Sequence, residues 1–227
     1  MWEALINLII RYPLDFISQL FALLPVVIGL SRYRRLTVPM KWVVLFFATY
    51  FLKDSIAWVH SLKRESNLYL YNLLSFSEIG FVAIIYALSI RRQSKKIALF
   101  AILCLLANVI FYSKHEIGVG NLTVARLFII TVVLIYLTHV LNESLIRNIL
   151  KHDMFWVSAG LLVYAAGTFF ILLFGKDLFE FGDSSAYETF DFYWSFQEII
   201  FIIFCVLAAI GLRFSEVGNR SNLVGKN

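Results

Sequence analysis

The sequence predicts an all-α, polytopic membrane protein: a bundle of seven transmembrane helices preceded by an N-terminal interfacial helix. Hydrophobic residues make up 60% of the 227 residues and the mean hydropathy is +0.79, whereas soluble domains are about 45–50% apolar. The apolar residues fall into seven runs, each near the roughly 17–25 residues that a tilted transmembrane helix needs. These runs are continuous rather than alternating, which excludes a transmembrane β-barrel.

The elements follow one another with little room for loops. The first 13 residues predict an interfacial amphipathic helix, because Trp2, Leu5, Ile6 and Ile9 recur at helical spacing. Pro13 suits the first turn of the next helix. The predicted spans are residues 14–30, 42–60, 68–90, 97–112, 122–141, 154–174 and 192–212. We therefore expect one transmembrane domain over residues 1–212 and a short polar cytoplasmic tail over 213–227.

Basic residues predict the orientation of the chain. The loops on one side, together with the tail, carry 13 Lys and Arg residues, and the loops on the other side, together with the N-terminal segment, carry five. The positive-inside rule then predicts that the N-terminus lies outside and the C-terminus lies in the cytoplasm. The loop between the sixth and seventh spans, on the predicted outer side, is acidic. It contains Asp177, Glu180, Asp183, Glu188 and Asp191. A solvated loop is the favoured interpretation, and a rim that attracts cationic ligands or metal ions is the alternative.

The third span contains an unusual carboxyl group, Glu78, close to its middle. A charge at that depth costs about 2–4 kcal/mol on insertion scales and normally faces a partner or a water-filled cavity. With a rise of about 1.5 Å per residue, five ionisable groups on four helices fall in the predicted outer half of the membrane. They are Lys53, Asp54, Glu78, Arg126 and Glu198. We expect some of them to pair across helices or to line a hydrated cavity.

Helical spacing predicts which residues share a face with Glu78. Tyr71, Ser75, Glu78, Val82 and Tyr86 fall on one stripe of the third span. That stripe could line an outward-facing pocket; alternatively, Glu78 bonds to a neighbouring helix and holds the bundle together, or lies on an ion or proton pathway.

In the sixth span, Gly160, Tyr164, Gly167 and Thr168 share a face rich in small residues. That pattern is typical of close helix packing more than of ligand contact.

Several classes of function have no sequence support. The chain has no GxSxG, no HExxH and no glycine-rich phosphate loop. Its Cys and His residues lack the spacing of a metal site. The net charge of +5 is assigned to cytoplasmic loops rather than to nucleic-acid binding. We therefore predict no catalytic residue, no metal, no cofactor and no nucleic-acid partner, and a non-enzymatic role is favoured over an enzymatic one.

Three segments carry a resemblance to a known group. They are LPVVIGLSRYRRL (24–36), NLYLYNLLSFSEIGFVAIIYAL (67–88) and FWVSAGLLVYAAGTFF (155–170). The chain resembles uncharacterised seven-helix membrane proteins of Bacteroidota, which are similar to membrane modules found with sensor histidine kinases. Glu78 and Tyr164 match recurrent positions of that pattern. The resemblance implies a bacterial inner-membrane protein with a sensory role, whose output passes to a separate cytoplasmic partner such as a histidine kinase.

Our leading hypothesis is a sensory or signalling module that binds a small or lipophilic ligand in an outer-half pocket. Glu78 is the central candidate for ligand contact. The other candidates are Lys53, Asp54, Tyr71, Ser75, Arg126, Tyr164 and Glu198. The alternatives are a membrane-embedded lipid-processing enzyme, a small transporter, or a scaffold whose charges only join helices.

Overall fold

The computed structural model describes residues 2–114, 116, 118–142, 149–179 and 184–215. These residues form eight α-helices and no strand, which confirms the all-α prediction. The helices are α1 (Trp2–Arg11), α2 (Pro13–Ser31), α3 (Val38–Lys63), α4 (Leu68–Ser89), α5 (Ser94–Ile110), α6 (Val119–Asn142), α7 (Asp153–Phe179) and α8 (Ser184–Phe214). Short 3-10 turns at Arg91–Gln93 and Ile149–Lys151 precede α5 and α7.

Helices α2 to α8 are each long and apolar enough to cross a membrane, which confirms the prediction of seven transmembrane helices. The chain is an integral membrane protein whose surface contacts the lipid bilayer. Several helices run past the predicted apolar spans, because polar residues at their ends stay helical. The predicted acidic loop is an example: Asp177 lies in α7 and Glu188 in α8. Glu180, Asp183 and the predicted tail beyond Ser215 lie outside the described residues.

Local sequence determines where the helices begin and end. Pro13 is the first residue of α2, and Pro39 lies in the first turn of α3, where the missing N–H removes no hydrogen bond. Helix α3 ends at Arg64, which adopts the left-handed conformation with φ 58°. The backbone N–H of Arg64 donates to the carbonyl groups of His60 and Ser61. This cap turns the chain into α4 within a few residues.

Six helices form a closed ring in the order α2, α3, α4, α6, α7 and α8, with α8 packed against α2. Helix α5 packs on the outside of the ring against α4 and α6. We call the end at which α2, α4, α6 and α8 begin the α1 end, because α1 lies there. The opposite end, which carries Arg32, Arg34, Arg35, Arg91 and Arg92, is the basic end.

The interior of the ring is filled largely by aromatic side chains. Phe47 of α3 and Phe204 of α8 are fully buried, with ring centroids 4.8 Å apart. The outer surface is apolar as well, and α5 shows this most clearly. Its exposed side chains include Leu99, Ile102, Leu103, Leu106 and Val109. A surface of this kind suits contact with lipid tails rather than with water.

Small residues bring α7 and α8 close together, as the sequence of the sixth span predicted. A Cβ atom at Gly160 would lie 2.7 Å from the ring of Phe204, and a Cβ atom at Gly167 would lie 2.5 Å from Ile200. At the basic end, a Cβ atom at Gly211 would lie 2.7 Å from the backbone carbonyl oxygen of Asp153. The contact between these two helices therefore depends on glycine.

The basic end is held by hydrogen bonds between segments that are distant in sequence. The Ser215 hydroxyl, at the end of α8, accepts a bond of 3.2 Å from the backbone N–H of Thr37. The Thr37 hydroxyl donates to the Asp153 carboxyl group over 3.2 Å. All three side chains are buried. Arg32 adds a bond of 2.5 Å from its guanidinium to the Arg213 carbonyl oxygen. The end of α8 is thus fixed to the α2–α3 connection and to the start of α7.

Replacement of Gly211 by alanine should destabilise the bundle, because the new Cβ atom meets a backbone carbonyl group that has little freedom to move. We expect a loss of about 1–3 kcal/mol, the usual cost of overpacking. Gly80→Ala is the matched control, since a Cβ atom there has no neighbour within 4 Å. Unfolding of both variants by SDS in mixed micelles measures the difference, and equal stability would contradict the close approach of α7 and α8.

Candidate functional site

Glu78 of α4 forms a buried ion pair with Arg126 of α6. The Glu78 side chain is 0% exposed, and Arg126 is 3% exposed. Arg126 Nη1 donates to Glu78 Oε2, and the Tyr50 hydroxyl of α3 donates to Glu78 Oε1. Both carboxylate oxygens therefore have a donor from another helix. This arrangement satisfies a charge that would otherwise be costly inside a membrane.

The remaining nitrogen atoms of Arg126 bond to α7. Its Nε donates to the Thr168 hydroxyl over 2.7 Å, and its Nη2 donates to the Tyr164 hydroxyl over 2.9 Å. The guanidinium carbon also lies 4.6 Å from the centre of the Tyr164 ring. Hydrogen bonds and a cation–π contact therefore join α3, α4, α6 and α7 around one carboxyl group. We call Tyr50, Glu78, Arg126, Tyr164 and Thr168 the ion-pair cluster.

Helix α8 contacts the ion-pair cluster through aromatic rings. Phe201 stacks on Tyr50 with ring centroids 5.0 Å apart, and Phe204 stacks on Tyr164 at 5.6 Å. The interplanar angle is 19° in both pairs. A change in the position of α8 would therefore move the two tyrosines whose hydroxyl groups surround Glu78.

Ser75 belongs to a different polar group, between α4, α5 and the α5–α6 connection. Its hydroxyl accepts a hydrogen bond of 2.7 Å from the Asn108 side chain and donates to the Asn72 carbonyl oxygen. The Asn72 side chain donates to the carbonyl oxygens of Ser113 and Glu116 and accepts from the backbone N–H of Gly118. These contacts give Ser75 and Asn72 a structural role in positioning the connection.

A cavity of about 250 Å³ opens at the α1 end of the bundle. Helices α1, α2, α3, α4 and α8 and the adjoining connections contribute its walls. Four lining residues carry carboxyl groups and four are aromatic: Asp15, Asp54, Asp191 and Glu198, and Tyr12, Trp58, Tyr71 and Trp194. The other lining residues are Leu8, Ser18, Ala57, Ser61, Asn67 and Leu68. Clefts between the helices of a bundle, with apolar walls and polar groups among them, are typical sites for small molecules.

One ammonium group lies beside the cavity wall. Lys53 pairs with the adjacent Asp54, and its Nζ lies 4.3 Å from the centre of the Tyr71 ring. The Tyr71 ring meets Trp194 edge to face with centroids 5.4 Å apart. Trp194 in turn donates from its indole Nε1 to Asp15 Oδ1 over 3.1 Å. A continuous chain of contacts thus runs along the cavity wall from α3 through α4 and α8 to α2.

Carboxyl groups outnumber cationic groups in and beside the cavity wall. No Lys, Arg or His nitrogen of the described residues lies within 4 Å of a carboxyl oxygen of Asp15, Asp191 or Glu198. Across the part of the chain that the structure describes, no three His, Cys, Asp or Glu side chains are grouped closely enough to hold a metal ion. The carboxyl groups are therefore spread around the cavity rather than focused on one point.

The structure divides the eight predicted contact residues among three places. Glu78, Arg126 and Tyr164 belong to the ion-pair cluster. Asp54, Tyr71 and Glu198 line the cavity, and Lys53 lies against its wall. Ser75 belongs to the polar group that positions the α5–α6 connection. The common depth of the charged residues therefore reflects two sites, not one.

Sequence reasoning missed four residues that matter for these sites: Tyr50, Thr168, Asp15 and Trp194. Tyr50 lies four residues before Asp54 and therefore on the same face of α3, which is a usable signal. Thr168 follows Tyr164 by the same interval, on a face whose small residues predict helix packing. Asp15 and Trp194 lie near helix ends, where carboxyl groups and indole rings are ordinary features of the membrane interface.

Comparisons with protein-family models, with curated proteins and with solved structures found no match for this chain.

Loss of the Arg126 guanidinium should strongly destabilise the bundle, because Glu78 would remain as an unpaired buried charge. We expect Arg126→Met to lower the free energy of unfolding by about 3–5 kcal/mol. The double variant Arg126→Met/Glu78→Gln should recover part of that loss, since it removes the unpaired charge. Arg92→Met, at an exposed position of the basic end, is the matched control. SDS unfolding of the four proteins tests this, and a double variant less stable than Arg126→Met would contradict it.

The Asn72 side chain should protect the α5–α6 connection from local opening. In Asn72→Leu we expect the backbone amide of Gly118 to exchange faster, because its acceptor, Asn72 Oδ1, is lost. Hydrogen–deuterium exchange with mass spectrometry measures the peptide that contains Gly118. Asn142→Leu, at an exposed position near the end of α6, should leave that peptide unchanged. Unchanged exchange in both variants would show that Asn72 does not hold the connection.

Proposed function

We propose that this integral membrane protein is a sensory or signalling module that binds a small or lipophilic ligand in the cavity at the α1 end. The observation that carries the proposal is the cavity itself, about 250 Å³ in volume, with both aromatic and carboxyl side chains in its walls. Three residues predicted from the sequence to contact a ligand, Asp54, Tyr71 and Glu198, line it. In this proposal the α1 end faces the outside of a bacterial inner membrane and the basic end faces the cytoplasm, as the distribution of Lys and Arg predicts.

Helix α8 is the element that links ligand binding to the opposite side of the membrane. Near the α1 end it contributes Trp194 and Glu198 to the cavity. One to two turns further on, its Phe201 and Phe204 stack on tyrosines of the ion-pair cluster. At the basic end, Ser215 bonds to Thr37. A shift of α8 on ligand binding would therefore be felt at the cavity, at the ion-pair cluster and at the basic end.

In this proposal Glu78 acts at a distance from the ligand, because its two carboxylate oxygens are bonded to Arg126 and Tyr50. The signal leaves through a cytoplasmic partner at the basic end, such as a histidine kinase. The alternative of a lipid-processing enzyme or small transporter has weaker support. An enzyme that hydrolyses lipids would need carboxyl groups that converge on one point. Of the three predicted membrane-embedded acids, Asp54 and Glu198 line the cavity, whereas Glu78 belongs to the ion-pair cluster.

Filling the cavity should abolish signalling without loss of the protein. Ala57 lines the cavity and is 5% exposed, so Ala57→Phe places a ring in the space that the ligand would occupy. Ala98→Phe makes the same change at an exposed, lipid-facing position of α5 and is the matched control. We expect transcripts that change on deletion of the gene to be restored by the wild type and by Ala98→Phe, but not by Ala57→Phe.

The measurement is a transcript profile of the deletion strain that carries each version, with protein levels in the membrane quantified in parallel. Restoration by Ala57→Phe to the wild-type extent, at equal protein levels, would contradict a signalling role for the cavity.

A further inference from the structure

The cavity at the α1 end has more carboxyl groups than cationic groups in and beside its walls. Four carboxyl side chains line it, and the nearest ammonium group, that of Lys53, is already paired with Asp54. Glu198 and Asp15 lie on neighbouring helices, and both are partly shielded from solvent. In such surroundings the ionised form of a carboxyl group is stabilised mainly by a nearby cation, because low-dielectric walls weaken its solvation. The cavity therefore favours a positively charged occupant and disfavours an anion.

The aromatic walls favour a particular kind of cation. Trp58, Tyr71, Trp194 and Tyr12 line the same space as the carboxyl groups. The Tyr71 ring already makes a cation–π contact, since the Lys53 ammonium lies 4.3 Å from its centre. Aromatic faces combined with carboxyl groups are the usual means by which proteins bind alkylated ammonium groups. The walls can therefore contact both the charge of such a group and its apolar substituents.

Size and geometry separate an organic cation from a metal ion. A volume of about 250 Å³ far exceeds the roughly 30 Å³ that one water molecule occupies in the liquid. A metal ion such as Ca²⁺ needs several oxygen ligands that converge at bonding distance. Within the described residues, no group of three or more possible metal ligands is present. The spread of carboxyl groups around the cavity fits a molecule of several atoms better than a bare ion.

We propose that the ligand of the α1-end cavity is a small organic cation with an alkylated ammonium group, held by Glu198, Asp15 and the faces of Tyr71 and Trp194. This inference rests on the proposed function, because it assigns the chemical class of the ligand in the same cavity. The ammonium group could belong to a free amine or to the headgroup of a lipid, and both sources share the chemistry that the walls recognise.

Binding of choline and of its neutral isostere, 3,3-dimethyl-1-butanol, tests the proposal. The full chain is placed in nanodiscs of phosphatidylglycerol, and affinity is measured by saturation-transfer difference NMR titration. We expect choline to bind about tenfold or more tightly than the alcohol, since a desolvated cation–π contact and a carboxyl partner each favour the charge. Ala57→Phe should abolish binding of both probes.

Substitutions identify which carboxyl groups bind the ammonium group of choline. Glu198→Gln and Asp15→Asn should each weaken choline binding severalfold while leaving the affinity for the alcohol unchanged. Glu116→Gln removes a carboxyl group from an exposed position of the α5–α6 connection and should leave both affinities unchanged. In nanodiscs with equal parts of phosphatidylcholine, a fall in the apparent choline affinity would identify a lipid headgroup as the source, and an unchanged affinity would identify a free amine.

Three results would overturn the inference. Equal affinities for choline and the alcohol would show that charge is not recognised, while leaving the cavity as a binding site. Binding of Mg²⁺ or Ca²⁺ that Glu198→Gln abolishes and choline does not displace would indicate a metal site instead. If neither choline nor the alcohol binds, the proposal that the ligand is an organic cation is also rejected. The proposed signalling function is tested separately. It would fail only if Ala57→Phe restored the transcript profile of the deletion strain.

Discussion

The bond between Glu78 and Arg126 is the constraint on which the interior of the bundle depends. A carboxyl group inside a membrane needs donors, and here they come from α3 and α6, while the arginine takes its remaining acceptors from α7. A shift in the register of these four helices would break bonds to the buried ion pair and leave a charge unsatisfied. The aromatic layer of α8 then packs on the tyrosines of the same cluster. Glycines allow α7 and α8 to approach closely enough for this contact.

The division of the polar residues into separate sites gives the bundle two kinds of region. The ion-pair cluster is closed, with each charged group bonded to another helix. The cavity at the α1 end is spacious, and its carboxyl groups have few cations near them. In the proposed function, ligand binding would change the cavity while the ion-pair cluster preserves the fold. Helix α8 contacts both regions and reaches the basic end, so a movement of α8 would affect all of them.

Much of the fold could be predicted from sequence, because seven long apolar runs have few other stable structures in a membrane. The helix ends were less predictable: polar segments such as the start of α8 remain helical beyond the apolar core. For the sites, Glu78 and Arg126 were recognisable as buried charges, but sequence gives depth along a helix and not which neighbour a side chain meets. Helix α4 packs against both α3 and α6, and the directions of the side chains decide that Glu78 meets Arg126 and Tyr50 rather than Lys53. Asp15 and Trp194 escaped notice because interfacial residues of these types are common in membrane proteins.

The separation of Glu78 and Arg126 along the chain has a consequence for biosynthesis. Arg126 follows Glu78 by 48 residues, so at about 5–20 residues per second it is synthesised about 2–10 seconds later. Helix α6 therefore leaves the ribosome after α4, so α4 meets the lipid bilayer before α6 can place Arg126 beside Glu78. The ion pair contributes nothing to that first step, in which the apolar residues of α4 and the Tyr50 hydroxyl of α3 are the groups already synthesised. It acts afterwards, when α6 arrives, and so selects the correct assembly of helices that are already in the membrane.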